Sequence, residues 1–483
     1  MQPFDPSTMR LIIIGGGIAG LSSAYYALQK APHLQITLLE ASDRWGGKIT
    51  THRLPYDGGQ FIIEGGPDTF LATKPHGVAL CKALGLGERL HGTNPQHKNT
   101  YVLKNGRLLP LPEGLAMMIP SDIPSILRSP LISWPGKARM GLDFLLPPRR
   151  AERDESLGAF ISRRLGREAY EALIEPLMSG IYAGDGDQLS LAATFPYLRD
   201  LERQYASLAR GAILMRRKMS AAGQNVQGSR SAFLTPTTGL AEIVEALVAH
   251  LSAHGVEMRL NTSVTHLSRQ NDHYLVDLSN GAPIIADAVI LATPAPVSGS
   301  LLASLDPELA TVLRSIPYAS TATVSLAYRQ SDLPRPLDGY GYVIPRREGR
   351  RALACTWTST KFPHRAPAGY ALIRVFIGRA GQQIPWEEEA LLNIAREELK
   401  LTLGITAPPL IERVFIWENA MPQYNLGHPE KLRAIESALS RHPGLALAGN
   451  GYRGIGIPDC ISSGQQAVER ILQIHPSMRR GKQ

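Results

Sequence analysis

The chain has 483 residues, 44% of them hydrophobic and 19% charged, with a formal net charge of +9; this is the balance of a globular enzyme of two to four domains. Three scattered cysteines, Cys81, Cys355 and Cys460, indicate neither a disulfide framework nor a zinc site and point to a reducing compartment, and no apolar run reaches the roughly 18 residues that a membrane span needs. The positive charge admits nucleic acid, a membrane surface or an anionic small molecule, but the short basic clusters at Arg149–Arg150, Arg163–Arg164 and Arg216–Lys218 are not interleaved with stacking aromatics, so nucleic acid is not expected and an acidic substrate is the sharper reading.

In chain order, Leu11 to Ile14 reads as an apolar strand running into Gly15, Gly17 and Gly20 with G-x-G-x-x-G spacing. A helical stretch follows, then a second apolar strand ending in Glu40, twenty residues after Gly20. Strand, glycines, helix and acid in this order form a dinucleotide-binding fingerprint. Gly15 permits the turn, Gly17 lets the backbone approach a pyrophosphate, and Gly20 lets helix and strand pack closely. The loop and helix start, with Gly16, Ile18 and Ala19, face the phosphates. Glu40 accepts hydrogen bonds from the adenosine ribose and repels a 2′-phosphate. Arg44, Gly46 and Gly47 extend the pattern to E-x-x-x-R-x-G-G, followed by Lys48. An NAD dehydrogenase has no need of that second glycine pair, so FAD is expected. The glycine spacing also argues against reading Leu11 to Leu28 as a signal-peptide core.

Residues 110–220 carry helix signals broken by prolines. Residues 234–250 read as a glycine turn and an amphipathic helix with Leu240, Ile243, Val244, Leu247 and Val248 on its apolar face. Two strand-like runs, VEMRLNTSVTHLSR and HYLVDLSNG, are separated by Asn271-Asp272; the apolar strand Ala288 to Leu291 then ends in Ala292-Thr293-Pro294, a turn returning the chain to the cofactor. Residues 301–420 hold strand-like runs and one helix, EEEALLNIAREELKLTL, which predicts an antiparallel sheet backed by helices. Residues 445–457 form a strand and glycine-rich loop before a helix that begins near Asp459. The expected fold class is α/β: a discontinuous Rossmann-like FAD-binding domain (1–80, 230–300 and 420–478), an α+β substrate-binding domain (81–109 and 301–419) and a helical subdomain (110–229). Residues 1–8 and 476–483 are expected to be frayed ends.

More specific segments are Glu64-Gly65-Gly66-Pro67-Asp68, Pro176 to Gly184, Pro422 to His428, Gly449 to Tyr452 and Asp459-Cys460-Ile461. Together with the opening fingerprint they resemble, over nearly the whole chain, the FAD-dependent protoporphyrinogen/coproporphyrinogen oxidases of haem synthesis, within the amine-oxidase-like flavoproteins. Ile119-Pro120-Ser121, Ala354 to Thr358 and Lys361 to His364 look like the bacterial branch that oxidises coproporphyrinogen III. The resemblance implies non-covalent FAD. It places the pyrophosphate at the fingerprint and the adenosine ribose at Glu40 and Ala41. Lys48 and Gly66, Pro67, Asp68 and Thr69 then fall near the ribityl chain and isoalloxazine, Val264 at adenine, Trp417 beside the flavin, and Ile455, Gly456 and Ile457 at the pyrimidine end. For Val264 and Trp417 core packing stays open.

The implied reaction removes six electrons and six protons from a porphyrinogen, with O2 as acceptor and three H2O2 formed. The cofactor carries the hard step, and no catalytic residue and no metal ligand stands out; His52, His364 and His428 are isolated. Four substrate propionates ask for Arg or Lys. Arg210 and Arg216-Arg217-Lys218 are candidates, with a solvated helix face the plainer reading of each. Leu111-Pro112-Glu113-Gly114-Leu115 lacks the Arg that protoporphyrinogen-specific members tend to place there, which leans toward coproporphyrinogen. A protoporphyrinogen IX oxidase, an amine oxidase or carotenoid desaturase on the same fold, and a non-enzymatic module like Rab GDP-dissociation inhibitors remain open. A cytoplasmic location is implied, with product handed to a ferrochelatase; the helical region is open either as a substrate-channel wall or as a peripheral membrane surface.

Overall fold

The computed structural model describes residues 9–113, 115–116, 119–149, 153–221 and 231–474; the expected frayed ends 1–8 and 476–483, Gly114 and Arg150 lie outside them. A five-stranded parallel sheet runs in the order Glu257–Arg259, Gln35–Leu39, Arg10–Ile14, Ala288–Leu291, Leu445–Leu447. Its central strand is buried on both faces, as a run of four branched aliphatics demands. Leu11 and Ile13 join a cluster with the helices Ile18–Lys30, Ala241–Ala253 and Ile457–Ile474. Ile12 and Ile14 join a second cluster under the antiparallel strands Val264–Gln270, His273–Leu278 and Ile284–Ala286. The run expected as one strand over VEMRLNTSVTHLSR is therefore two strands in two sheets, broken at Asn261, whose φ of 50° turns the chain.

The break placed after residue 80 falls inside the helix Pro75–Ala83. Leu80 and Cys81 of that helix are buried in the same cluster as Leu11 and Ile13, so this segment sits on the parallel-sheet side rather than with the second sheet. The physical reason is its two apolar positions, which the last helix covers.

The second sheet has seven strands in the order Ile411–Pro422, Tyr318–Arg329, Tyr370–Ile377, Ala352–Thr356, Gly339–Val343, Asn99–Lys104, Arg107–Pro110. Its pairs are antiparallel except Gly339–Val343 with Asn99–Lys104, which is parallel. Strand alternation sorts the faces. Val324, Leu326, Ile373 and Val375 pack under the helix Glu388–Leu403, whose Leu391, Ala395 and Leu399 complete that cluster. Thr323, Ser325, Arg374 and Phe376 point the other way, toward the first sheet's strand ends. The helical region packs around Leu157, Phe160, Ile161 and Tyr170. Tyr170–Ile174 winds as a π-helix immediately before Glu175–Tyr182.

Candidate functional site

The cleft forms where the parallel strands end. Gly15 holds φ at 110° and donates its N–H to Leu39 O at 2.8 Å. A Cβ on Gly20 would lie 1.8 Å from Gly15 O, so the helix can start this close to the strand only with glycine there. Ala292 N donates to Ile14 O at 2.7 Å, so the turn after Leu291 does come back against the glycine loop. Gly17 meets no atom within 4 Å on the side a Cβ would occupy, while Gly47, at φ 57°, packs against its Cα. The glycine pair thus backs one side of a slot whose other side stays open.

Glu40 closes the sugar end. Its Oε2 accepts from Gly16 N at 2.6 Å, and its Oε1 from Ser42 N at 2.9 Å and Ser42 Oγ at 2.7 Å. Each carboxylate oxygen keeps a further lone pair for a hydroxyl. Asn261 N donates to Ser42 O and Thr262 N to Glu40 O, both at 2.9 Å, so the chain leading into Val264 runs alongside Glu40 and the exposed Ala41. Arg44 turns to its own loop, donating to Gly47 O at 2.5 Å and Ile49 O at 3.2 Å. Lys48 is half-buried; burial holds its ammonium below the usual lysine range, with Cys460 opposing.

The loop Gly65–Thr69 forms the next wall. A Cβ on Gly66 would lie 1.9 Å from Lys48 O. Gly65 O accepts from Thr323 Oγ1 at 2.8 Å, Trp417 Nε1 at 2.9 Å and Arg374 Nη2 at 3.3 Å, so Trp417 anchors the loop by its indole N–H. Asp68 Oδ2 pairs with Lys361 Nζ at 3.2 Å and Oδ1 accepts from Thr69 Oγ1 at 3.1 Å. Burial would raise the Asp68 carboxyl, but Lys361 and Arg374 outweigh it and hold the group at about 2. Beneath lies a buried pair, Arg365 Nη1 to Glu64 Oε1 at 2.7 Å, with Glu64 also accepting from Leu240 N at 2.8 Å and Thr51 Oγ1 at 2.6 Å.

On the far side, Ile455 and Gly456 lead into the helix Ile457–Ile474. Gly456 N donates to Asp459 Oδ2 at 3.1 Å, and Asp459 pairs with Lys74 at 2.6 Å. Thr69, Phe70, Gly456 and Ile457 line one cavity of ≈ 100 Å³. The structure therefore brings Gly15–Gly20, Glu40, Gly47, Lys48, Gly66–Thr69 and Ile455–Ile457 around one cleft. Glycines without Cβ along it, a carboxylate at its sugar end and a helix N-terminus at the other fit an FAD. An apolar wall of Ala183, Leu353 and Ala354, with half-buried Val343 and Phe376, adjoins it.

The cations proposed from sequence for the propionates lie elsewhere. Arg210, Arg217 and Lys218 are exposed on the helix Leu208–Ala221, and Arg216 pairs with Asp122 at 3.3 Å. Lys361, Arg365 and Arg374 at the loop were missed as a set, because isolated basic residues on different strands leave no spacing signal. His428 is a satisfied core histidine, its Nε2 2.8 Å from Tyr452 O and its ring stacked on Tyr424. Burial and Arg365 hold His364 at about 4, so it stays neutral near pH 7. Burial pushes the Cys81 and Cys460 thiols up to about 12.

A family model described as flavin-containing amine oxidoreductase matches residues 18–472. The coproporphyrinogen III oxidase of Bacillus subtilis is 38% identical over 96% of this chain and 97% of its own length. The protoporphyrinogen oxidase of Bos taurus is 32% identical over 97% of this chain and 99% of its own. A crystal structure assigned as a protoporphyrinogen oxidase of Exiguobacterium superposes with a TM-score of 0.84 at 36% identity, covering 96% of this chain and 99% of that one.

Proposed function

This chain belongs to the flavin-containing amine oxidoreductase family, and from that membership we propose that it oxidises coproporphyrinogen III to coproporphyrin III, with O2 as final acceptor. The observation that supports this most directly is its end-to-end likeness to bacterial coproporphyrinogen III oxidases, greater than its likeness to protoporphyrinogen oxidases. Six electrons and six protons leave the macrocycle over three rounds, and three O2 become three H2O2. FAD supplies the electron-pair acceptance in each round.

The residues do the rest. The Gly15–Gly20 turn and the helix behind it bind the pyrophosphate, Glu40 and Ala41 hold the ribose, and Val264 borders the adenine. Lys48, Gly66–Thr69, anchored by Trp417, and Ile455–Ile457 bound the ring. The wall of Ala183, Leu353, Ala354 and Phe376 excludes water from the face where the macrocycle lies. No side chain is needed as a fixed base, since the pyrrole N–H becomes acidic once a bridge hydride has left, and neutral His364 and committed His428 are not poised for that role. Product passes to a ferrochelatase.

A paired assay tests the reading. Air-exposed holoprotein is given coproporphyrinogen III in one cell and protoporphyrinogen IX in another, following porphyrin emission and peroxide. Faster turnover of the first, with one H2O2 per electron pair, is the expected result. Preference for the second would move the enzyme to the protoporphyrin route, and oxidation of neither would leave amines and polyenes.

The location we propose is the cytoplasm, at the face of a membrane. Among the described residues no helix is long and apolar enough to cross one. Instead Trp134, Leu142 and Leu145, with Ala138 and Gly141, lie exposed along the helix Trp134–Gly141 and the turn that continues it; Trp134 is 70% and Leu145 80% exposed. Ile123 and Leu127 on the neighbouring helix add to this face, and Lys137 bridges the two helices by donating to Leu127 O at 2.8 Å while lying over the Trp134 ring. Asp143, the one acid in 123–149, is buried, whereas Arg128 and Arg149 are exposed. An apolar face edged by cations suits the interface of an anionic bilayer. Leu145→Glu is expected to cut co-sedimentation with phosphatidylglycerol vesicles by about tenfold or more, with turnover in detergent-free buffer unchanged. Equal sedimentation of variant and parent would count against this location.

A further inference from the structure

The sheet face turned toward the Gly65–Thr69 loop carries one charge more than its partners balance. Glu64, Asp68, Lys361, Arg365 and Arg374 meet there. Arg365 pairs with Glu64 and Lys361 with Asp68, which leaves Arg374 as a third cation against two carboxylates; among the described residues no carboxylate lies within ion-pair distance of it. Arg374 is 2% exposed. Its Nη2 donates to Gly65 O and Gly66 O, while its Nε and Nη1 are buried without a hydrogen-bond partner. A guanidinium cannot shed its proton to escape such a place, and a buried charge without its full set of acceptors is costly.

Holding the loop does not account for that cost. Gly65 O already accepts from Thr323 and Trp417, and a neutral donor would serve Gly66 O. Arg374 also stands beside the cavity wall, its guanidinium 4.7 Å from the centroid of the Phe376 ring. What only a cation can do here is act through space on charge arriving in the cleft beyond the loop. Reduction of a flavin brings an electron pair into that cleft, and a fixed positive charge nearby favours the reduced state.

The structure assigns Arg374 as a positioning residue that, from behind the Gly65–Thr69 loop, raises the tendency of the bound flavin to take up electrons. This rests on the FAD reading above, and goes beyond it by naming the side chain that sets the driving force. Asp68 works in the opposite sense, since its ionised carboxylate offsets part of the surplus.

The test compares holoproteins of wild type, Arg374→Met, Arg374→Lys and Asp68→Asn. Each is equilibrated anaerobically with a reference dye of known potential, without any porphyrinogen, so that a wrong substrate leaves the result readable. FAD content and melting temperature are recorded alongside. Arg374→Met is expected to shift the reduced-to-oxidised flavin ratio toward the oxidised form by about tenfold, Arg374→Lys to restore most of it, and Asp68→Asn to shift it the other way. A Met variant that keeps its FAD with an unchanged ratio overturns the assignment. If the Met variant sheds FAD, Asp68→Asn decides: a shift toward reduced flavin upholds the assignment, while no shift, or one toward oxidised flavin, overturns it.

Discussion

Replacing Gly20 by alanine is expected to give protein that purifies nearly colourless, with affinity for FAD lowered by about tenfold to a hundredfold. The new Cβ would lie 1.8 Å from Gly15 O and 3.0 Å from Gly15 C. Both are backbone atoms, held by the bond from Gly15 N to Leu39 O and by the turn at Ala292, so no flexible side chain can move aside. The helix Ile18–Lys30 must retreat from the strand, carrying its N-terminus away from the pyrophosphate it serves. The ratio of flavin to protein absorbance, followed by titration of added FAD, measures this. Full FAD content in the variant would mean that the loop does not hold the cofactor as described. Gly180, whose Cβ would meet nothing within 4 Å, makes the matched control.

The largest stability effect is expected from Arg164→Met. Arg164 and Asp143 are both fully buried, and Arg164 Nε donates to Asp143 Oδ1 at 2.6 Å. Arg164 also donates to Asp143 O at 2.8 Å, Ala206 O at 2.7 Å and Leu146 O at 3.0 Å, while Asp143 Oδ2 accepts from Ser207 Oγ at 2.6 Å and Ala209 N at 2.9 Å. Removing the cation leaves a buried carboxylate without its counter-charge and strips three carbonyls of a donor, a loss of about 3–5 kcal/mol. Urea unfolding read by far-UV circular dichroism measures it. Arg164→Met combined with Asp143→Leu should recover part of the loss, because the orphan charge goes with its partner. A single variant within about 0.5 kcal/mol of wild type would show that water reaches the site. The same pair fixes the segment carrying Leu142, Phe144 and Leu145, so weakened vesicle binding by Arg164→Met would follow from disorder of that face rather than from lost apolar area.

The two buried ion pairs, Arg164–Asp143 and Arg365–Glu64, differ in how visible they were beforehand. Arg164 lies in an amphipathic run where Arg163 and Arg164 read alike as surface residues, yet only Arg164 points inward. Its burial depends on Asp143, 21 positions away and on another helix. Arg365 and Glu64 are 301 positions apart. Pairing over such distances is set by how sheets and helices stack, and no local periodicity records it.

The sequence by itself determined the first unit: strand, three glycines, helix and Glu40 are contiguous, and each position is constrained by backbone sterics within a few residues. Gly15 needs its positive φ and Gly20 its bare Cα whatever the rest of the chain does. It likewise determined the parallel strands at Ala288 and Leu445, because strands buried on both faces must be uninterrupted apolar runs. Only the tertiary structure decided that Asn99–Pro110 completes a sheet whose other strands begin beyond residue 300, and that Pro75–Ala83 sits against the last helix. Only it gathered Glu64, Asp68, Lys361, Arg365 and Arg374 behind one loop. Charge surplus is a property of a volume, and a volume exists only once strands distant in the chain have been laid side by side.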